Sequence, residues 1–239
     1  MTWLWRISFS AFSAFFVLDV DGAAVSGTVE LRDSRDPGAR AKDYSGVVVW
    51  LMPVSGAAPD MPAHHARMVQ KNKTFTPHVL AIPMGSTVDF PNFDPIFHNA
   101  FSSYNGQIFD VGLYPPGTNR TVQFSRPGIV RVFCNIHATM SAVIAVLESP
   151  WFAVTGRDGE FTIHDVPAGN YTLRVFHERA TQTTLDALNQ TVAIGSDNIR
   201  ISPISVSESG YLAIPHKNKY GNDYSPAPDA RGAYPAVRK

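Results

Sequence analysis

The residues in this sequence with the clearest capacity for metal chemistry are one cysteine and three side chains that accompany it. Cys134 is the only cysteine among the 239 residues, and His137 and Met140 follow it within the next six positions. His98 lies farther upstream and is followed by Asn99. A thiolate and two imidazoles in one plane, completed by a long and weak thioether bond, suit copper in both of its common oxidation states. The set therefore indicates a copper site.

Two other interpretations of these residues remain open. Cys134 could be a buried free thiol, with His137 and Met140 as incidental residues at a strand end. Structural zinc is a weaker alternative, because zinc sites prefer two or more cysteines and rarely use methionine. A disulfide within the chain is excluded, because there is only one cysteine.

Short segments of alternating apolar residues must position these side chains. Turn-forming Gly and Pro residues, 17 and 18 in number, separate the segments. Many short strands at even spacing are typical of β-sandwiches. One or two helical turns are expected, and only at 183–190. Strands are predicted at 25–31, 47–52, 79–82, 87–90, 121–124, 129–133, 141–147, 160–163, 171–176, 191–194 and 199–204. The loop between the strands 129–133 and 141–147 would present Cys134, His137 and Met140.

Residues 67–147 resemble the cupredoxins. The resemblance rests on a His-Asn pair followed downstream by a Cys-x2-His-x2-Met loop of the short amicyanin type, and on the strand–Gly–strand pattern at 75–90. It implies one type 1 copper ion bound by His98, Cys134, His137 and Met140. It also implies that Asn99 ties the two ligand loops together. The loop departs from the amicyanin pattern because no proline stands beside its second histidine, which leaves the reduction potential open.

Residues 152–175 are similar to carboxypeptidase regulatory-like domains, which are small transthyretin-like sandwiches. They carry the pattern D-G-x-F-x-I-x-x-V-P-x-G-x-Y-x-L-x-V from Asp158 to Val175. The first strands of such a domain match 25–29 and 47–51, on the other side of the copper motif. We therefore predict an all-β protein in which a cupredoxin Greek-key sandwich is inserted into a second sandwich. The alternative is that the N-terminal strands simply extend the copper domain.

These matches predict five segments. Residues 1–24 are a signal peptide, with Arg6 before a short apolar run and small residues at 22–24, which predicts export to the periplasm and no membrane span after cleavage. The others are the first part of the regulatory-like sandwich (25–60), the copper domain (64–149), the second part of that sandwich (150–206) and an extended or disordered tail (207–239). The arrangement resembles exported proteins labelled methylamine-utilisation proteins.

Composition limits the function further. The chain carries 20 Lys and Arg against 20 Asp and Glu, so a nucleic-acid partner is not expected. The sequence shows no catalytic triad, paired carboxylate cleft or phosphate-binding loop, and we expect no enzyme. The expected function is transfer of single electrons to a redox protein, such as a dehydrogenase or a cytochrome c-like protein, that docks near His137. The alternatives are copper storage or delivery, and a surface- or carbohydrate-binding module with a structural metal.

Overall fold

A computed structural model describes residues 22–34, 43–56, 58–59, 61–103, 106–212 and 215–224. Within these ranges the protein has eighteen strands and one short helix. In the first half of the chain the strands are β1 (Ala23–Arg32), β2 (Val48–Pro53), β3 (His65–Arg67), β4 (Val69–Lys71), β5 (Thr74–Thr76), β6 (Val79–Pro83), β7 (Thr87–Asp89), β8 (Phe101–Ser102) and β9 (Phe109–Asp110). The remaining elements are β10 (Thr121–Gln123), β11 (Gly128–Phe133), β12 (Ser141–Leu147), β13 (Phe152–Val154), β14 (Glu160–Val166), β15 (Gly169–Phe176), α1 (Gln182–Ala187), β16 (Gln190–Ile194), β17 (Ile199–Arg200) and β18 (Ile204–Ser207).

The central part of the chain forms a cupredoxin-like β-sandwich. One sheet has the strand order β10-β7-β3 and the other has the order β6-β12-β11-β8-β9, with the hairpin β4-β5 beside them. Strand β12 pairs antiparallel with β11 and parallel with β6. The core of this sandwich contains large side chains such as Phe90, Phe124, Val130 and Ile144, each fully buried. Cys134 and Met140 belong to the same core cluster.

The flanking segments form a second sandwich. Strand β1 pairs with β14, β17 and β18, and strand β2 pairs with β13 and β15, which in turn pairs with β16. Val25 lies opposite Ile163 and Val49 lies opposite Val175. Strands from before and after the central sandwich thus share two sheets, as an insertion requires. The domain boundaries themselves stay a prediction.

The turn between β13 and β14 explains why Asp158-Gly159 is part of the sequence pattern. Gly159 has φ +77°, and a Cβ atom at this position would lie 2.1 Å from the carbonyl oxygen of Val29. The Val29 N–H donates to the Gly159 carbonyl at 2.9 Å. A side chain would therefore push the turn away from β1, so only glycine fits here.

A third apolar cluster joins the two sandwiches. Strand β12 is buried on both faces: its even-numbered residues face the core of the cupredoxin-like sandwich, and Val143, Ala145 and Leu147 face outward. This outer face packs with Val48 and Phe176 of the second sandwich and with Leu185 of α1, residues of the same cluster. The two sandwiches are therefore held together by a shared hydrophobic interface.

The observed elements differ from the predicted ones mainly in the short strands. Strands β3, β4, β5, β8 and β9 have only two or three residues each, too few to show an alternating pattern. The predicted strand 199–204 divides into β17 and the start of β18. The helix begins at Gln182, after the Thr181 side chain caps it by accepting from the Thr184 N–H.

The N-terminal predictions fall largely outside the described residues. The apolar run of the predicted signal peptide lies in the part of the chain that is not described, whereas β1 begins at Ala23, inside the predicted cleavage segment. None of the helices in the described ranges has the length and apolar character needed to cross a membrane.

Candidate metal centre

Three of the four predicted ligands come together in the folded chain. The ligand atoms of His98, Cys134 and His137 all lie within 4.8 Å of one another. Cys134 Sγ is 3.8 Å from His98 Nδ1 and 3.5 Å from His137 Nδ1. The two imidazole rings meet edge to face, with centroids 4.8 Å apart. Both histidines therefore direct the same ring nitrogen toward the sulfur.

These separations fit a shared metal ion. For a divalent ion of zinc's size, bonds of about 2.3 Å to sulfur and about 2.0 Å to nitrogen at angles of about 110–120° put the two atoms about 3.5–3.7 Å apart. The observed distance of 3.5 Å lies within this span, and that of 3.8 Å lies just above it. One thiolate with two imidazoles is the equatorial ligand set of a blue-copper centre, whereas structural zinc is usually held by more cysteines. The residues thus fit copper.

Two neighbouring strands hold the ligand loop. Cys134 directly follows β11, and Met140 directly precedes β12, with which β11 pairs along its whole length. The Cys134 N–H donates to the Met140 carbonyl at 3.1 Å, and the Met140 N–H donates to the His137 carbonyl at 3.0 Å. The loop is therefore closed at its base by the β11–β12 ladder. Met140 is fully buried, and its role as axial ligand stays a prediction.

Cys134 and His137 differ in their protonation state before a metal binds. Burial raises the pKa of the Cys134 thiol, although hydrogen bonds from the backbone N–H groups of Asn99, Ile136 and His137 oppose the shift. Burial and the neighbouring His98 ring lower the pKa of His137 to about 4. At neutral pH His137 is therefore neutral, as a ligand must be, whereas Cys134 must release its proton when a metal binds.

A buried carboxylate, which is not among the predicted site residues, orients His98. The His98 Nε2–H donates to Asp94 Oδ2 at 2.7 Å, and both residues are buried. This bond fixes the tautomer and leaves the Nδ1 lone pair facing Cys134. Although burial raises its pKa, hydrogen bonds from Lys73, His98 and Asn72 hold the pKa of Asp94 below its ordinary value. Asp94 is therefore a charged acceptor.

The tight turn between β4 and β5 holds this carboxylate in place. Asn72 and Lys73 have φ of 56° and 54°, a combination that occurs in two-residue hairpin turns. Their N–H groups donate to the two Asp94 oxygens at 2.6 and 2.8 Å. The only signal for this arrangement in the sequence is an aspartate four residues before a ligand histidine.

Asn99 has separate partners for its side chain and for its backbone. Its side-chain N–H₂ group donates to Asp110 Oδ1 at 2.7 Å and to the Gly112 carbonyl at 2.9 Å. The contact with Cys134 is made by its backbone N–H. Asn99 thus links the two ligand segments through its main chain, while its side chain anchors the segment around β9.

Three of the remaining histidines bind carboxylates outside the cluster. His65 Nε2 lies 2.8 Å from Asp89, His78 Nε2 lies 2.9 Å from Glu178, and His177 Nε2 lies 2.9 Å from Glu208. Within the described part of the chain, His98, Cys134 and His137 form the single group with metal-ligand spacing.

The edge of the site is partly open to solvent. His98 and Cys134 are buried, whereas His137 is partly exposed. The adjacent Ile136 is 40 % exposed, and Phe93 and Phe97, on the segment that carries Asp94 and His98, are 57 % and 42 % exposed. Large apolar side chains therefore project from both ligand-bearing segments.

Fold and cluster together describe a cupredoxin-like β-sandwich with a His-Cys-His group in which His98 and Cys134 are buried. The chain is similar to a purple cupredoxin from Nitrosopumilus maritimus, at 24 % identity over 34 % of this chain and 99 % of that chain, with a TM-score of 0.32. It is also similar to amicyanin from Paracoccus versutus, at 18 % identity over 41 % of this chain and 97 % of that one (TM-score 0.33). A copper-containing nitrite reductase from Thermus scotoductus shows 22 % identity over 50 % of this chain and 28 % of the reductase (TM-score 0.34). No protein-family model and no curated protein matches the chain. Because these TM-scores are low, the case for the site rests on its own geometry.

Proposed function

We propose that this protein is an exported type 1 (blue) copper protein that carries single electrons between redox partners. The observation that carries the proposal is the cluster of His98, Cys134 and His137, in which sulfur and both Nδ1 atoms face one point at 3.5 and 3.8 Å separation. Copper, when bound, would supply the ability to accept one electron and give it up again.

Each residue of the site has a distinct task in this proposal. Cys134, His98 and His137 are the equatorial ligands, and Met140 is the weak axial ligand. Burial of Cys134 and His98 excludes water from one side of the site. Asp94 and the β11–β12 ladder hold the ligands in place. The ligands would therefore move little when a bound copper ion changes its charge. In this role the protein carries an electron and performs no catalytic step of its own.

The partly exposed His137 is the proposed point of contact with a redox protein. The neighbouring Ile136 offers an apolar surface, and the chain carries equal numbers of acidic and basic residues. Apolar contacts depend less on ionic strength than charged ones. We therefore propose docking at this edge with weak salt dependence, in the periplasm, by a dehydrogenase or a cytochrome c-like protein.

The test is the visible and EPR spectrum of the protein after loading with Cu(II). We expect an intense charge-transfer band from Cys134 to copper and its loss in Cys134→Ser. A colourless Cu(II) protein that still binds the metal would overturn the proposal and favour storage or delivery of copper. Asp89→Asn is a suitable control, because Asp89 lies on β7 of the other sheet and pairs with His65 and not with a residue of the cluster. The charge-transfer band of this variant should be unchanged.

A further inference from the structure

Residues 215–224, which we call the strap, lie against the ligand loop. Their first contact is with the ligand cysteine itself. The Tyr224 hydroxyl donates to the Cys134 carbonyl at 2.6 Å. Tyr224 is partly buried. The strap therefore holds the main chain of the residue whose sulfur belongs to the metal cluster.

The second contact joins the strap to both ligand segments. The Lys219 N–H donates to Asn135 Oδ1 at 2.9 Å, and the Lys219 ammonium group donates to Asp110 Oδ2 at 2.8 Å. The other oxygen of Asp110 accepts from Asn99, the residue after His98. Lys219 is thus linked to the residue after Cys134 directly and to the residue after His98 through one carboxylate.

Aromatic contacts fix the strap beside these hydrogen bonds. The His216 ring stacks on Phe133, with centroids 4.1 Å apart and an angle of 26° between the planes. It also meets the Tyr224 ring edge to face at 5.1 Å. Within the strap, the Gly221 N–H donates to the Asn218 carbonyl at 2.9 Å, which closes a turn. The strap is therefore an ordered element that covers the end of β11.

From these contacts we propose that the strap is a working part of the metal site, in which Tyr224 and Lys219 are positioning residues for the ligand loop. Hydrogen bonds from surrounding residues hold metal ligands in their orientation. Here those bonds come from a segment that follows β18 of the second sandwich. The effect on copper rests on the proposed function, but the effect on the loop does not.

Hydrogen exchange of the metal-free protein tests the effect on the loop. Tyr224→Phe removes the hydroxyl that donates to the Cys134 carbonyl and that also lies 3.2 Å from His216 Nδ1. Tyr171→Phe is the matched control, because the Tyr171 hydroxyl also donates to a backbone carbonyl, that of Pro167, but in the second sandwich. We expect the amides of 134–140 to exchange about two- to tenfold faster in Tyr224→Phe, the range for loss of one hydrogen bond. A chain that ends at Leu212 should show a larger increase. Equal exchange in the two tyrosine variants would overturn the proposal.

Copper release tests the same proposal on the loaded protein. We expect transfer of Cu(I) to an excess of chelator to be faster in Tyr224→Phe and in Lys219→Met than in the wild type, with Tyr171→Phe unchanged. Unchanged release in both positioning variants would overturn the role at the metal site. If the wild-type protein lacks the blue band, the proposed function fails, whereas the exchange result still decides whether the strap holds the loop.

Discussion

Asp94→Asn removes the charge that orients His98 while it keeps the size of the side chain. Oδ2 of Asp94 accepts from His98 and from Lys73, and Oδ1 accepts from Asn72. An asparagine has one acceptor oxygen, so its amide N–H₂ must face at least one of these donors. The His98 ring either loses its acceptor or keeps an uncharged one. In both cases its Nδ1 is less firmly directed at Cys134.

The size of the effect follows from the number and kind of these bonds. A hydrogen bond to a charged group contributes about 1.5–3 kcal/mol. Loss of an outer partner of a metal-bound histidine typically weakens metal binding about 10–100-fold, which corresponds to about 1.4–2.7 kcal/mol. We therefore expect the copper dissociation constant of Asp94→Asn to rise by about one to two orders of magnitude.

Competition with a chelator of known affinity measures this change, and thermal unfolding of the metal-free protein measures stability. Glu208→Gln is the control, because Glu208 also accepts from a buried histidine, His177, but in the second sandwich. Both variants should lose stability, and only Asp94→Asn should lose copper affinity. A change in copper affinity of less than about threefold, together with a clear loss of stability, would show that Asp94 supports the fold and not the His98 ligand. This threshold lies well below the loss of metal affinity that usually follows removal of a hydrogen-bond partner of a metal-bound histidine.

Three further predictions concern the axial residue, acid stability and the interface. Met140→Leu should keep copper and raise the reduction potential, since an axial donor favours Cu(II); loss of copper comparable with His98→Ala would refute the axial role. Burial lowers the pKa of His177 below 6.5 in the folded protein. As the pH falls, His177 is therefore protonated in the unfolded chain before it is protonated in the folded one, so the free energy of unfolding should fall below about pH 6.5. A melting temperature that stays constant from pH 7 to pH 5 would contradict this. Residues 64–149 expressed alone should fold and turn blue with copper, but should self-associate through the exposed outer face of β12. Polar substitutions at Val143 and Leu147 should make this fragment monomeric in sedimentation. If the unsubstituted fragment is already monomeric, the role of this face is contradicted.

The sequence was most informative where short spacing fixes geometry. Cys134 and His137 are three residues apart at the end of a strand, and residues so close in one tight loop reach the same point. His98 was found because a histidine followed by asparagine matches the cupredoxin pattern, and the structure places its Nδ1 3.8 Å from the sulfur. Asp94 was missed, because its partners Asn72 and Lys73 are more than twenty residues away in the chain.

The contacts between distant segments could not be derived from local pattern. After Ser141, residues 142–147 are an unbroken apolar run, which is typical of a strand buried on both faces. The run does not indicate that the second sandwich is what covers the outer side of β12. Residues 215–224 are mostly polar, and nothing in their composition indicates contact with a ligand loop. Their docking depends on single hydrogen bonds, such as that from Tyr224 to Cys134, which no periodicity encodes.

The candidate ligand loop, residues 134–140, contacts parts of the chain outside the central sandwich at both of its ends. Met140 is followed at once by β12, whose outer face packs on the second sandwich, and Cys134 is held by Tyr224 from the segment after β18. Both ends of the ligand loop are thus supported by parts of the chain outside the central sandwich. Ligands that stay in place while a bound metal ion changes its charge need such rigid support. We therefore infer that the second sandwich is a scaffold for the copper site, so weakening the interface at Phe176 should loosen the ligand loop even though Phe176 lies in the other sandwich. Unchanged hydrogen exchange of 134–140 in Phe176→Ala, measured on the folded metal-free protein, would contradict this role.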